Sequence, residues 1–274
     1  MSYFTVLKLE KEPFSTSPDP AFFYHSTEHS TALNRLEIAI RLKRGLSLVL
    51  GDVGTGKTTL CRALLQSFGN EENDFIFHMI LDPSFKSEYQ FLTHLNKLFG
   101  VSPFFRSSID QREVIEKYLF KKCVEEHKTV VLLIDEGQKL TLPQLEILRT
   151  LLNYETNENK LLQLVIFAQM ELLPRIKTVR NFMDRISLKY ILNPLDIRET
   201  EALIHFRLKQ AGFNQIRNIF SLEAIQKIYD STQGYPRQIA KLCHNAMEYV
   251  VMGNYETVTG QLIDQLIEKD KLWT

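Results

Sequence analysis

The sequence predicts an αβα sandwich, in which helices cover both faces of a parallel sheet, followed by a small all-helical domain. Three observations carry this. Strand-like apolar runs alternate with helical patterns as far as Ile191, the order that builds a parallel sheet. Two of those runs, Leu46-Ser47-Leu48-Val49-Leu50 and Val130-Val131-Leu132-Leu133-Ile134, are almost wholly apolar, as strands buried on both faces are. After Asn193-Pro194 only helical patterns remain.

Taken in order, Glu12 to Pro20 holds three prolines and reads as an extended arm. Its neighbours Phe14, Phe22, Phe23 and Tyr24 are too aromatic for a loose tail, so the arm is expected to be pinned. Ala32, Leu33, Leu36 and Ile40 fall at helical spacing within Thr27 to Lys43, and Gly45 ends that helix. A strand over Leu46–Leu50 leads through a glycine-rich loop to a helix from Lys57 to about Phe68. A strand from Phe75 to Leu81, a helix from Ser87 to Phe99 and a helix from Asp110 to Glu126 follow. The strand Val130–Ile134 precedes a helix with Pro143 in its first turn. Leu161–Phe167 and Ile186–Ile191 complete the strands. Helices are expected over Glu199–Gln210, Leu222–Thr232, Pro236–Val251 and Val258–Lys269. This gives an arm over 1–26, a sheet domain over 27–193 and a helical domain over 194–274.

The 274 residues are 44% hydrophobic and 24% charged, with 33 basic and 33 acidic side chains. That balance carries no electrostatic footprint for nucleic acid or for a membrane surface. Cys61, Cys123 and Cys243 are scattered, which argues against a disulfide framework or zinc site and for buried small hydrophobes. The start lacks a basic segment followed by an apolar run, and no apolar stretch approaches membrane-spanning length. A cytoplasmic protein is expected, with any link to a membrane made through a partner.

Gly51-Asp52-Val53-Gly54-Thr55-Gly56-Lys57-Thr58 fits G-x-x-x-x-G-K-[ST], the phosphate-binding loop. Glycines let the main chain wrap a phosphate with its N–H groups pointing inward. The helix starting near Lys57 adds the positive end of its dipole. Lys57 supplies a point charge for the β- and γ-phosphates, the Thr58 hydroxyl a ligand for Mg²⁺, and Thr59 continues the helix. The strand before and the helix after are the context the motif requires.

Asp135-Glu136 follows the apolar strand Val130–Ile134. The carboxyl ends of parallel strands face the ligand crevice. Asp135 is therefore placed to hold the magnesium hydration shell, and Glu136 to orient an attacking water. Gln169, after Leu164–Ala168, can contact the γ-phosphate or the water. Arg175, Arg180 and Arg185 lie just beyond. Any of them could serve a neighbouring subunit by stabilising transition-state charge, and Arg185 is favoured. Arg237 projects from a helix whose start Pro236 fixes.

Together, Gly51–Thr58, Leu132–Gln138 (LLIDEGQ), Gln163–Leu172 (QLVIFAQMEL) and Gly234–Arg237 resemble the AAA+ ATPases. More closely, they resemble the ExeA/GspA-type secretion ATPases. Glu12-Pro13-Phe14, Pro18-Asp19-Pro20, Phe23-Tyr24, Asn193-Pro194-Leu195 and the helix from Thr200 to Arg207 support this over nearly the whole chain. The resemblance implies a Walker A pair of Lys57 and Thr58 and a Walker B pair of Asp135 and Glu136. It implies sensor 1 at Gln169, sensor 2 at Arg237 and an arginine finger at Arg185. It brings Tyr24 and His25 toward the adenine. It further implies an ATPase core with a helical lid, assembled as a ring or filament with active sites between subunits. Longer members continue into a membrane helix and a peptidoglycan-binding domain, whereas this sequence stops at Trp273-Thr274, a departure that counts against carrying over their cell-wall role. Gly137 stands where the family often has alanine, a change expected to matter little.

The function expected is Mg²⁺-dependent ATP hydrolysis driving assembly of a secretion or pilus-like envelope machine, through a membrane-anchored partner at the inner membrane. The TniB/TnsC-type transposition ATPases share this core, so a DNA-associated role is the alternative, disfavoured by the neutral charge. A nucleotide switch without hydrolysis is disfavoured by Glu136.

Overall fold

The computed structural model describes residues 3–17, 19–71, 73–101, 107–213, 218–253 and 255–271. These fall into two compact units. One comprises Glu28–Asp52 and Leu60–Leu192; the other combines the N-terminal residues through Thr27, the loop Val53–Thr59 and the chain from Asn193 onward.

In chain order the elements of the first half are α1 (Tyr3–Val6), α2 (Thr27–Arg41), β1 (Leu46–Leu50), α3 (Lys57–Ser67), β2 (Phe75–Ile80), α4 (Glu88–Leu98), α5 (Ser108–Phe120) and β3 (Thr129–Ile134). There follow α6 (Leu142–Leu151), β4 (Leu162–Ala168), α7 (Leu172–Thr178), β5 (Ile186–Ile191), α8 (Ile197–Gln210), α9 (Leu222–Thr232), α10 (Pro236–Met252) and α11 (Gly260–Lys271). The π-helical turn Lys121–Glu125 extends α5, completing the helix expected to reach Glu126.

The sheet is parallel throughout, in the order β2-β3-β4-β1-β5. Its three inner strands are buried at every position, whereas the edge strands β2 and β5 are partly exposed. This is the pattern of a sheet covered on both faces and open only at its rims. Val130, Leu132, Ile134, Leu162, Leu164 and Ile166 pack into one apolar cluster with α4, α5 and α6. Each such fully buried aliphatic side chain contributes about 1.5–3 kcal/mol. Capping boxes fix where the covering helices start: Ser107 with Asp110 for α5, and Thr141 with Gln144 for α6.

The helical unit has its own core of Leu203, Ile204, Phe220, Ile228, Ile239, Met247 and Ile263. The sequence reading expects the arm over residues 1–26 to be pinned; the arm groups with these helices. Main-chain groups of the arm pair with α8 and with the residue that follows it. Arg207 Nη1 donates to the Ser15 carbonyl at 3.0 Å, Gln210 Nε2 donates to the Ala21 carbonyl at 3.1 Å, and the Glu10 N–H donates to the Ala211 carbonyl at 2.8 Å. Phe14, 1% exposed, meets Phe220 edge to face. Pro18 and Trp273-Thr274 lie outside the described residues.

Candidate nucleotide site

The strand–loop–helix context of Gly51–Thr58 is present: β1 ends at Leu50 and α3 begins at Lys57. Gly54 has φ +87° and Gly56 φ +96°, a region a side chain makes costly. The loop thus takes a path open to glycine, with Thr55 and Lys57 buried and Asp52 and Val53 exposed. A main-chain cradle with a lysine at a helix N-terminus is built for a polyphosphate.

Asp135 and Glu136 leave the same edge of the sheet from which the loop departs. The register pairs Leu50 of β1 with Ala168 of β4, and Ile134 of β3 with Ile166 of β4. The C-terminal ends of β1 and β3 therefore lie two strand spacings apart, about 10 Å. The Gly51 N–H continues the ladder to the Ala168 carbonyl at 3.1 Å, and the Asp135 N–H donates to the Ile80 carbonyl at 2.8 Å. Asp135 is 3% exposed. Burial first, and the Asp135 charge second, push the Cys61 thiol well above its usual range. The Asp135 charge is thus felt at Cys61 on α3. Carboxylate and hydroxyl oxygens are the hard donors a magnesium ion takes, and the residues present fit that ion.

Glu136 is half-buried and has φ +53°. Its N–H donates to Asp135 Oδ1 at 2.9 Å, and its Oε2 accepts from Gln138 Nε2 at 2.6 Å. Gln169, half-buried at the end of β4, donates its main-chain N–H to Gln138 Oε1 at 3.2 Å. Gln138 thus joins Glu136 to Gln169. It stands in the sequence motif, but the reading of the sequence gave it no role, because its partner lies on another strand.

The arginines separate. Arg175 is held by the structure, donating from Nη1 to the carbonyls of Gln138 and Leu140 at 2.6 Å each. Arg180 is exposed. Arg185 precedes β5, whose first residue, Ile186, pairs with Leu46 at the start of β1. It therefore sits at the edge of the sheet opposite the ends of β1 and β3, near Glu146 and Glu155, whose carboxyls it helps to hold below their usual range after Arg149 and Lys160 respectively.

In the helical unit, Gln233 and Gly234 take positive φ and Pro236 opens α10. Arg237 is exposed, and its N–H donates to the Gly54 carbonyl at 3.3 Å. Tyr24 packs on Phe206, with its hydroxyl pushed up by burial and then by Glu199 and Asp196; His25 is exposed against Phe23. Among the described residues no helix is long and apolar enough to cross a membrane.

Gly137 is packed more tightly than expected. A Cβ there would lie 2.4 Å from Ile166 Cγ2 and 3.2 Å from the Phe167 carbonyl oxygen. An alanine here would press on a β-branched neighbour that has no flexible end to withdraw.

Comparisons with known proteins bear on the family and the fold. Over 264 residues the chain is 34% identical to general secretion pathway protein A of Aeromonas hydrophila, covering 93% of this chain and 46% of that protein. The chain thus spans about half the length of the curated relative it matches. The solved structure of Cdc6p from Pyrobaculum aerophilum superposes with a TM-score of 0.66 at 16% identity, covering 90% of this chain and 67% of that one. The Aeropyrum pernix ORC2 protein, solved as ADPNP-ADP complexes, gives a TM-score of 0.64 at 14% identity, covering 90% and 71%. These two likenesses show the fold alone. Residues 40–176 match the AAA domain family, from the helix before β1 through β4 into α7, and the chain belongs to that family.

Proposed function

We propose that the chain binds ATP with Mg²⁺ and hydrolyses it. The observation that carries this reading is the shared sheet edge: the phosphate loop leaves it from β1 and the Asp135-Glu136 pair leaves it from β3. In this reading the Gly51–Thr59 amides grip the phosphates, Lys57 neutralises the β- and γ-phosphates, and Thr58 and Asp135 hold the metal. Magnesium, when bound, draws charge from the phosphates as the terminal bond breaks. Glu136 orients the attacking water, Gln169 contacts the γ-phosphate side, and Arg237 answers from the helical unit. Tyr24 and His25 are the candidates for adenine contact.

Arg185 is assigned to a neighbouring copy. Five residues of β1 separate its edge from the catalytic edge, about 16 Å at strand rise, too far to serve its own chain. ATP-dependent self-association follows from that assignment.

The likeness to general secretion pathway protein A favours a role in driving assembly of an envelope secretion machine through a membrane partner. Mg²⁺-dependent phosphate release tests the activity. Glu136→Gln is expected to keep ATP binding and lose turnover; unchanged turnover refutes its role. Tight DNA binding at physiological salt, strengthened by ATP and weakened by added salt, would move the biological reading to the transposition type.

A further inference from the structure

We propose that Gln138 is a positioning residue that clamps the Glu136 carboxylate and ties it to the end of β4. The inference rests on Glu136 as the water-orienting carboxylate. Its geometry is independent of any ligand.

The side-chain amide of Gln138 is oriented by chemistry. The Gln169 main-chain N–H is a donor only, so the atom facing it must be Oε1, at 3.2 Å. Nε2 is then turned to Glu136 Oε2, which an ionised carboxylate offers as an acceptor, at 2.6 Å. No other placement of the amide satisfies both neighbours. One Glu136 oxygen is thereby committed, and the other is left to align the water.

The clamp stands on a rigid base. Gly137–Lys139 forms a 3-10 turn. Gly137 lies against Ile166, and Arg175 Nη1 grips the Gln138 and Leu140 carbonyls. Glu136 itself is left-handed at φ +53°, a conformation that persists only where its surroundings hold it. Any shift of Gln169 on ligand contact is therefore passed through one side chain to the carboxylate. Arg175, one of three finger candidates in the sequence, acts here as part of this support.

Three variants test the clamp. Gln138→Leu removes both hydrogen bonds and is expected to lower kcat by up to about 100-fold, with KM for ATP unchanged. In the Glu136→Gln background the same substitution should change residual turnover by less than about twofold, since coupled residues do not add. Gln138→Glu keeps an acceptor for the Gln169 N–H but sets carboxylate against carboxylate, so its Tm should fall. Combining it with Glu136→Gln exchanges the amide and the carboxylate, and should restore Tm but not turnover. Wild-type kcat in Gln138→Leu, or a Tm that the exchange does not restore, overturns the clamp. A wild-type protein without ATPase activity defeats the proposed function instead, and the Tm arm still decides whether the pair is joined.

Discussion

The Arg237 main-chain N–H donates to the Gly54 carbonyl at 3.3 Å, and a Cβ on Gly54 would lie 3.1 Å from Arg237 Cβ. The loop residue and the first turn of α10 belong to one compact unit. Gly54 is therefore constrained twice, by φ +87° and by this neighbour.

Gly54→Ala should cost about 1–2 kcal/mol from the left-handed backbone alone. It should also weaken ATP binding at least tenfold, because the loop must re-form to relieve the strain. Thermal unfolding and calorimetry measure the two effects. Wild-type affinity in this variant would show that the loop path is not needed for the phosphates.

The Arg237 side chain is exposed while its main chain holds Gly54. Arg237→Ala should therefore leave stability within about 0.5 kcal/mol. If the guanidinium serves the transition state, kcat should fall about 100-fold with ATP affinity little changed. Unaltered turnover would remove Arg237 from the site.

Gly234 has φ +76°, and a Cβ there would meet the Leu195 carbonyl oxygen at 1.9 Å. Main chain cannot withdraw as a side chain can, so Gly234→Ala should destabilise the helical unit by about 3 kcal/mol. Hydrogen exchange should show the loss in α8 and α10 rather than in the sheet. Wild-type protection there would contradict the close approach.

Burial pushes His78 down to about 4 from its ordinary value of 6.5, against a weaker opposing hydrogen bond. The ring lies on β2 beside Phe99, with Nε2 3.0 Å from the Tyr118 hydroxyl. Between those values the unfolded chain binds the proton and the folded chain does not. The contribution is fully present above pH 6.5 and is lost as pH falls toward 4. Discounted for partial exposure, the loss is about 1 kcal/mol. His78→Phe should flatten the Tm decline over this window; an unchanged slope would place the proton elsewhere.

Sequence patterning located the elements where one periodicity dominates. β1 and β5 begin and end at the expected residues, and α9 spans Leu222–Thr232 as expected. The seven-residue α7, with Pro174 inside it, is too short to show a helical repeat. The four-residue α1 is shorter still. The strand–loop–helix setting of Gly51–Thr58 and the strand before Asp135 were legible because their patterning is local in sequence. The Gln138 clamp and the Gly137–Ile166 contact were not, since each joins a turn to a strand about thirty residues away and is set only when β3 and β4 pair. The docking of the arm on α8 likewise depends on Arg207 reaching main-chain carbonyls nearly two hundred residues earlier.

Calorimetric titration of ATP with Mg²⁺ into Glu136→Gln and into Glu136→Gln/Lys57→Ala protein tests the central claim most directly. Saturable binding to the first and at least hundredfold weaker binding to the second is the predicted result. No measurable affinity in the first, or equal affinity in both, would contradict a triphosphate held by the loop between β1 and α3.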